Sequence, residues 1–246
     1  MRADLEIDTG VAAFSATVLF IAYIVRGIAG FGSGLISVPL LVLFFPLQLV
    51  VPIIVLLDYV GSASQGLRNR KLIAWREQLP LIPFTLIGVA IGLSLLEKLN
   101  SATLAQALGV FIMVYAVYQL LPLPVLRGSR LFAVPGGALG GLIGTVFGAG
   151  GPFYIIYLGL RGLDKSALRA TFAANFLIDG GIRLGGYTIF GFFDRTALLY
   201  IAAALPIVAI ALFIGGRVHS NLSPALFTRM ISVLLLVSGV ALLLKY

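Results

Sequence analysis

A chain of 246 residues that is 60% hydrophobic and only 11% charged is too apolar for an ordinary soluble globule, and its mean hydropathy of +1.10 marks an integral membrane protein. The formal charge of +8 comes from basic residues scattered singly or in small groups between apolar segments, so positive-inside bias accounts for it and no nucleic-acid surface is expected. The lack of cysteine excludes disulfides and thiolate metal sites, the single His219 leaves no histidine cluster, and no cofactor is expected.

Apolar stretches of roughly 20 residues recur from end to end, each long enough to cross a hydrocarbon core about 30 Å thick as a helix. A β-barrel would need alternating faces, whereas Leu234-Leu235-Leu236-Val237 is apolar all round. The fold class expected is all-α and polytopic. The N-terminus carries Arg2 but also Asp4, Glu6 and Asp8, so it lacks the basic flank of a signal peptide, and the first segment is read as retained. The pattern predicts helices over 11–30, a short one over 34–45, then 48–67, 79–96 and 102–121. A second series follows over 131–147, a short one over 151–161, then 168–190, 196–216 and 223–244.

Long and short segments come in the same order in both series. This divides the chain into a first repeat, 1–121, a proline- and charge-bearing linker, 122–130, and a second repeat, 131–246. With the N-terminus outside, Arg68, Arg70, Lys71, Arg76, Arg127, Arg130, Arg161, Lys165, Arg169 and Arg217 fall on the cytoplasmic side. Only Arg2, Lys98, Arg195 and Lys245 fall outside. An odd number of crossings per half makes the two repeats inverted, an organisation that suits a transporter; each short helix either crosses or is re-entrant.

Between the long and short helices of each series lies a glycine phrase: Gly30-Phe31-Gly32-Ser33-Gly34, and about 116 residues later Phe147-Gly148-Ala149-Gly150-Gly151. Such segments hold a helix poorly, and irregular backbone at membrane depth persists only where protein buries it or where it lines a cavity. Each short helix therefore begins with unpaired N–H groups at the break, an anion-binding arrangement. Gly32, Ser33, Gly34, Gly148, Ala149, Gly150 and Gly151 are the substrate-binding candidates, with Ser33 adding a hydroxyl that Ala149 lacks. Close helix packing explains Gly136, Gly140 and Gly144 better, and Pro152 suits the first turn of a new helix.

Thr171, Asn175, Asp179, Arg183 and Tyr187 form a polar stripe at four-residue steps, and Asp58, Ser62, Gln65 and Asn69 form another. Asn175 and Arg183 join the binding candidates, and Asp58 and Asp179 are the candidates for coupling to a proton. Asp179 and Arg183 can also neutralise each other. The partner of Asp58 is left open between Arg26, Arg183 and a proton, while Arg26 is expected to snorkel to the inner interface. Enzymatic activity is not expected: Phe31 stands where a Gly-x-Ser-Gly nucleophile motif needs glycine, and no HExxH or paired-carboxylate motif is present.

The run Gly30-Phe31-Gly32-Ser33-Gly34-Leu35-Ile36-Ser37-Val38-Pro39-Leu40-Leu41 resembles the first glycine motif of the TauE/SafE family of membrane exporters, and Gly148-Ala149-Gly150-Gly151-Pro152 resembles its partner. Asn175 falls where that family's second half commonly has asparagine. The resemblance implies a multi-pass protein of the bacterial cytoplasmic (inner) membrane that exports sulfite or an organosulfonate such as sulfoacetate. Two departures stand out: Asp58 replaces a neutral polar residue, and Pro152-Phe153-Tyr154 replaces a repeat of Val38-Pro39. The expected function is secondary transport of a small anion by alternating access. An anion channel and a non-transporting membrane assembly subunit are the alternatives, and the glycine-rich faces leave a homodimer open.

Overall fold

The computed structural model describes residues 8–30, 32–66, 71–121, 128–218 and 224–246. Phe31, Arg68, Asn69, Arg70, Arg127 and His219, the first residues through Ile7, and the side chain of Gln65 lie outside the described residues. The described chain is helical: α1 Thr9–Ala29, α2 Ser33–Leu41, α3 Leu47–Gly66, α4 Trp75–Gln78, α5 Leu81–Lys98 and α6 Ser101–Leu120. After a 3-10 turn at Arg130–Phe132 come α7 Ala133–Phe147, α8 Gly151–Leu160, α9 Lys165–Ile189, α10 Arg195–Arg217 and α11 Pro224–Lys245. Among the described residues, six stretches are long and apolar enough to cross a membrane: α1, α4 with α5, α6, α7 with its preceding turn, α10 and most of α11. α9 has 25 residues, enough length to cross, but its polar stripe lowers its hydropathy.

Local chemistry sets the helix ends. Asn100 accepts a hydrogen bond from Thr103 N–H at 2.8 Å, Asp164 accepts from Ser166 and Ala167, and Asp194 accepts from Ala197 at 2.7 Å. Each cap satisfies a first-turn donor and contributes about 1 kcal/mol. α1 ends at Gly30 (φ +86°) and α7 at Gly148 (φ +66°), left-handed conformations that glycine adopts without steric cost.

Lipid supplies no hydrophobic drive between helices, so close backbone approach carries the packing. A methyl on Gly27 would lie 2.8 Å from Gly215 Cα, locking α1 against α10. Gly137 and Gly141 press on the carbonyls of Leu81 and Thr85 in α5, while Gly136 and Gly140 accommodate the rings of Tyr157 and Tyr154 from α8. α7 therefore uses glycine on two faces, of which the four-residue spacing had indicated one. Exchanging α1, α2, α3, α5 and α6 with α7, α8, α9, α10 and α11 maps the main pairings onto one another. α1–α10 corresponds to α7–α5, α3–α10 to α9–α5, and α3–α9 and α6–α11 to themselves.

Contacts at the helix ends define two faces of the bundle. At one, Gln48 donates to Leu99 O and accepts from Ser101, Tyr246 donates to Val42 O, and Phe14 near the start of α1 meets Phe44 just beyond α2 at 5.1 Å. At the other, Gly128 N–H donates to Leu160 O at 2.9 Å, bringing the approach to α7 beside the end of α8. Buried Glu77 of α4 holds this second face together: it pairs with Arg130 at 2.9 Å and Arg161 at 2.8 Å and accepts from Tyr157 Oη at 3.2 Å. Glu77→Gln is expected to lower the thermal midpoint in detergent more than Arg130→Gln does. Loss of Glu77 leaves the 22%-exposed Arg161 side chain unpaired, whereas Arg130 is half exposed and water replaces much of its partner.

Candidate functional site

The two glycine breaks touch. A methyl on Gly34 would lie 2.5 Å from the carbonyl oxygen of Gly148. Around this contact lies a cavity of about 620 Å³ with Gly32, Gly34, Gly148, Ala149 and Gly151 in its lining. The first-turn amides of α2 have no side-chain cap, whereas at the start of α8 Pro152 removes one donor and Phe153 N–H donates to Gly150 O at 3.2 Å. One wall is polar, formed by Arg26, Asp58 and Ser62; another is apolar, with Phe172 and Phe176 of α9 and Ile155 of α8. The lining extends to Arg169 in the second turn of α9 and Gly216 at the end of α10, so the cavity reaches toward the Glu77 face.

Arg26 organises the polar wall. Its Nη1 lies 2.9 Å from both Asp58 Oδ1 and Ser33 Oγ, and its Nη2 donates to Asp58 O at 3.0 Å and Ser62 Oγ at 2.5 Å. Ser33 completes the cluster by donating to Asp58 Oδ1 at 2.6 Å. The Arg26 residue is only 5% exposed, so the expectation that it snorkels to the interface is corrected: glycine at positions 30, 32 and 34 lets α2 and α3 close over it. A guanidinium fork can reach four acceptors on two neighbouring helices, where an ammonium would offer a single point of charge. Because Asp58 neutralises Arg26, the charge left in the lining is that of Arg169, whose guanidinium has no ion pair or hydrogen bond among the described residues.

A second buried ion pair stands behind the apolar wall. Arg183 Nη2 lies 2.5 Å from Asp179 Oδ2, and its Nη1 donates to Gly144 O at 2.8 Å. Phe176 separates the pairs, with Arg26 Cζ 5.1 Å and Arg183 Cζ 5.7 Å from its ring centroid, within cation–π range of both.

A family model described as Sulfite exporter TauE/SafE matches residues 15–242. This chain belongs to the TauE/SafE family. It is 28% identical over 225 residues, 88% of each chain, to a protein of Cupriavidus necator named "Probable sulfite/organosulfonate exporter TauE". It is 26% identical over 198 residues, 77% of this chain and 81% of the other, to "Probable inner membrane transporter protein TsaS" of Comamonas testosteroni. No solved structure matches the chain significantly. The protein is thus a multi-pass cell-membrane transporter with a small substrate, and not an enzyme.

Within this TauE/SafE transporter the residues singled out from sequence separate into two groups. Gly32, Gly34, Gly148, Ala149, Gly151 and Asp58 line the cavity. Ser33, Gly150, Asn175, Asp179 and Arg183 are absent from its lining. The hydroxyl hydrogen of Ser33 is engaged by Asp58, and Asn175 accepts from Gln78 Nε2 at 2.8 Å. Gly150 packs against the carbonyl of Gly140, within contact range of its oxygen, so Gly150→Val is a folding test and not a test of substrate approach. Arg169, Phe172 and Phe176 were passed over. The i, i+4 spacing of the two phenylalanines on a helix carrying a polar stripe was the signal that could have found them. Among the described residues no group of three histidine, cysteine or acidic side chains could hold a metal ion.

Proposed function

We propose that this protein exports a small oxyanion or sulfonate, taken up in the cavity where the two glycine breaks meet. The observation that carries the reading is the composition of that cavity: the uncapped start of α2 and the Arg26 cluster on one side, the aromatic rings of α9 on the other, and the unpartnered Arg169 one turn before those rings toward the mouth. Its volume of about 620 Å³ exceeds what a bare sulfite needs and lies in the range for small organic ligands. An organosulfonate, with a charged head for the polar wall and a short carbon body for Phe172 and Phe176, suits it better than the inorganic ion. The printed name of the Cupriavidus relative supports the same substrate class.

The exchange symmetry of the helix pairings supports two inverted repeats. The meeting of Phe14 with Phe44, and of Gly128 with Leu160, supports α1–α2 and α7–α8 as helical hairpins whose short arms are re-entrant. α3, α5 and α6 then cross in one half, and α9, α10 and α11 in the other. The face reached by the cavity carries Lys71, Arg76, Arg161, Arg169 and Arg217, so positive-inside bias makes it cytoplasmic and the cavity inward-facing. Rocking of one repeat against the other about the Gly34–Gly148 contact would present the site outward.

The test is transport in proteoliposomes using ethanesulfonate, whose charge does not change across the working pH range. Concentrative counterflow against preloaded unlabelled sulfonate supports a carrier. Flux that only equilibrates supports the anion channel, and neither binding nor flux across sulfonates, sulfite and carboxylates supports an assembly subunit. Arg169→Ala is expected to weaken sulfonate binding by about tenfold at low ionic strength and progressively less as salt rises, since the mouth is solvated and screened. Isothermal titration at several salt concentrations checks it.

A further inference from the structure

Four of the five buried side-chain polar atoms without a hydrogen-bond partner among the described residues lie together on one line: Gln78 Oε1, Asn175 Nδ2, Asp179 Oδ1 and Arg183 Nε. All four residues are at most 2% exposed. Buried polar atoms are satisfied in more than nine cases in ten, so four orphans in one place need an explanation that an isolated one does not. The line begins at the Glu77 face, where Thr171 Oγ1 accepts from Ala74 N–H at 2.9 Å, and continues to the Gln78–Asn175 amide pair and the Asp179–Arg183 pair. Thr171, Asn175, Asp179 and Arg183 are four residues apart on α9, so neighbouring Cβ atoms stand about 5–6 Å apart. One water accepting and donating at about 2.8–3.0 Å spans that gap, and orphan donors alternate with orphan acceptors as such bridges require.

The stripe also turns. Each four-residue step advances about 40° around α9, so the line starts away from the cavity at Thr171 and comes round behind Phe176 at Arg183. The groups facing Asp179 are Arg183 and Tyr187 on its own helix and Tyr154 of α8, whose hydroxyl hydrogen-bonds its carboxylate; Tyr59 of α3 packs on the adjacent Gly180, and α4 and α5 present the neutral Gln78 and Thr85. Arg183 is therefore the only permanent charge among them, and Asp179 decides whether it is neutralised.

We propose that this file holds bound water and that Asp179 carries a proton that travels with the anion. This rests on the transport reading above and deepens it. A proton from water at the Glu77 face moves along the file and adds to Asp179 Oδ1, forming an O–H bond and turning the carboxylate into a neutral acid. Arg183 is then left with an uncompensated positive charge on the far side of Phe176, whose ring also faces Arg26 and the cavity. The added charge strengthens anion binding, so proton and anion load together. After the repeats rock, the O–H bond breaks, the proton returns to water on the opposite side, and the Asp179–Arg183 pair reforms as the anion leaves. Asp58 is placed differently, with Arg26 and Ser33 both engaging its Oδ1 at the cavity wall. Efflux of a monoanion by this route is electroneutral and is driven by the anion and proton gradients together.

Ethanesulfonate is the probe. Wild-type proteoliposomes with an imposed pH gradient are expected to accumulate it on the alkaline side, and affinity in detergent is expected to rise about tenfold as pH falls through the titration of Asp179. Asp179→Asn is expected to keep equal-pH exchange, lose accumulation driven by the pH gradient, and bind independently of pH. Because that variant alters a buried pair, the double variant Gln78→Leu/Asn175→Leu serves as a second probe. It removes both orphan-bearing amides at once, leaves the ion pair intact, and is expected to slow gradient-driven accumulation at least tenfold with exchange unchanged. Accumulation on the acidic side, exchange indifferent to the gradient, gradient-driven accumulation retained by Asp179→Asn, or loss of exchange in a folded Asp179→Asn would each overturn the proposal. A wild type that neither binds nor exchanges the probe would overturn the transport reading instead.

Discussion

Arg26→Met is expected to abolish sulfonate binding and to destabilise the protein by about 3–5 kcal/mol, the cost of stranding one member of a buried ion pair. Methionine fills about the same volume but leaves the 4%-exposed carboxylate of Asp58 with the hydroxyls of Ser33 and Tyr23 in place of a cation. It also removes the donors that hold Asp58 O and Ser62, so α1, α2 and α3 lose their shared tie at the cavity wall. The double variant Arg26→Met/Asp58→Asn is expected to recover most of the stability, because the stranded charge is gone, but none of the binding. Arg26→Lys keeps the charge and loses the fork, so an intermediate result is expected for stability and a near-complete loss for transport. Thermal unfolding in detergent read beside counterflow separates the two effects. Full stability of Arg26→Met with intact transport would show that the pair organises neither the fold nor the site.

Gly34→Ala is expected to cost about 1–3 kcal/mol through overpacking and to eliminate transport, because the new methyl would sit 2.5 Å from the Gly148 carbonyl oxygen. Relief requires the two breaks to move apart, and the breaks are backbone on both sides, with no flexible side chain to swing away. Gly151→Ala is the matched control. Its methyl would meet Phe172 Cζ at 3.4 Å, an ordinary contact, while adding the same volume at the cavity wall. It is expected to fold normally and to change sulfonate affinity only modestly, by a few-fold at most. Equal loss of transport in both variants would indicate that cavity volume matters and the Gly34–Gly148 contact does not.

Much of the fold was legible because membrane helices announce themselves locally. Apolar length fixes a span without reference to any other residue. Observed helix limits follow the expected ones within a few residues for α1, α3, α6 and α10, where caps such as Asn100 and Asp194 or glycines such as Gly30 mark the ends. The segment expected over 79–96 is α5, Leu81–Lys98, two residues further on at each end, and the short α4 at Trp75–Gln78 before it was not foreseen. The site was less legible. Glycine looks the same in sequence whether it meets a ligand, as the cavity lining allows for Gly151, or a neighbouring helix, as at Gly150, since the difference is the direction of one absent side chain.

By itself the sequence determined that this is an all-helical, multi-pass membrane protein of TauE/SafE type, with two glycine breaks and intramembrane charges that need partners. Those properties depend on composition, period and short motifs, and they survive any rearrangement of the helices. Only the tertiary structure decided that Arg26 pairs with Asp58 across 32 residues of chain, that Arg183 is turned away behind Phe176, and that the two breaks touch. The reason is physical: a charge in lipid must be neutralised, but many partners satisfy that demand equally, and which one does so is set by helix packing between segments far apart in the chain.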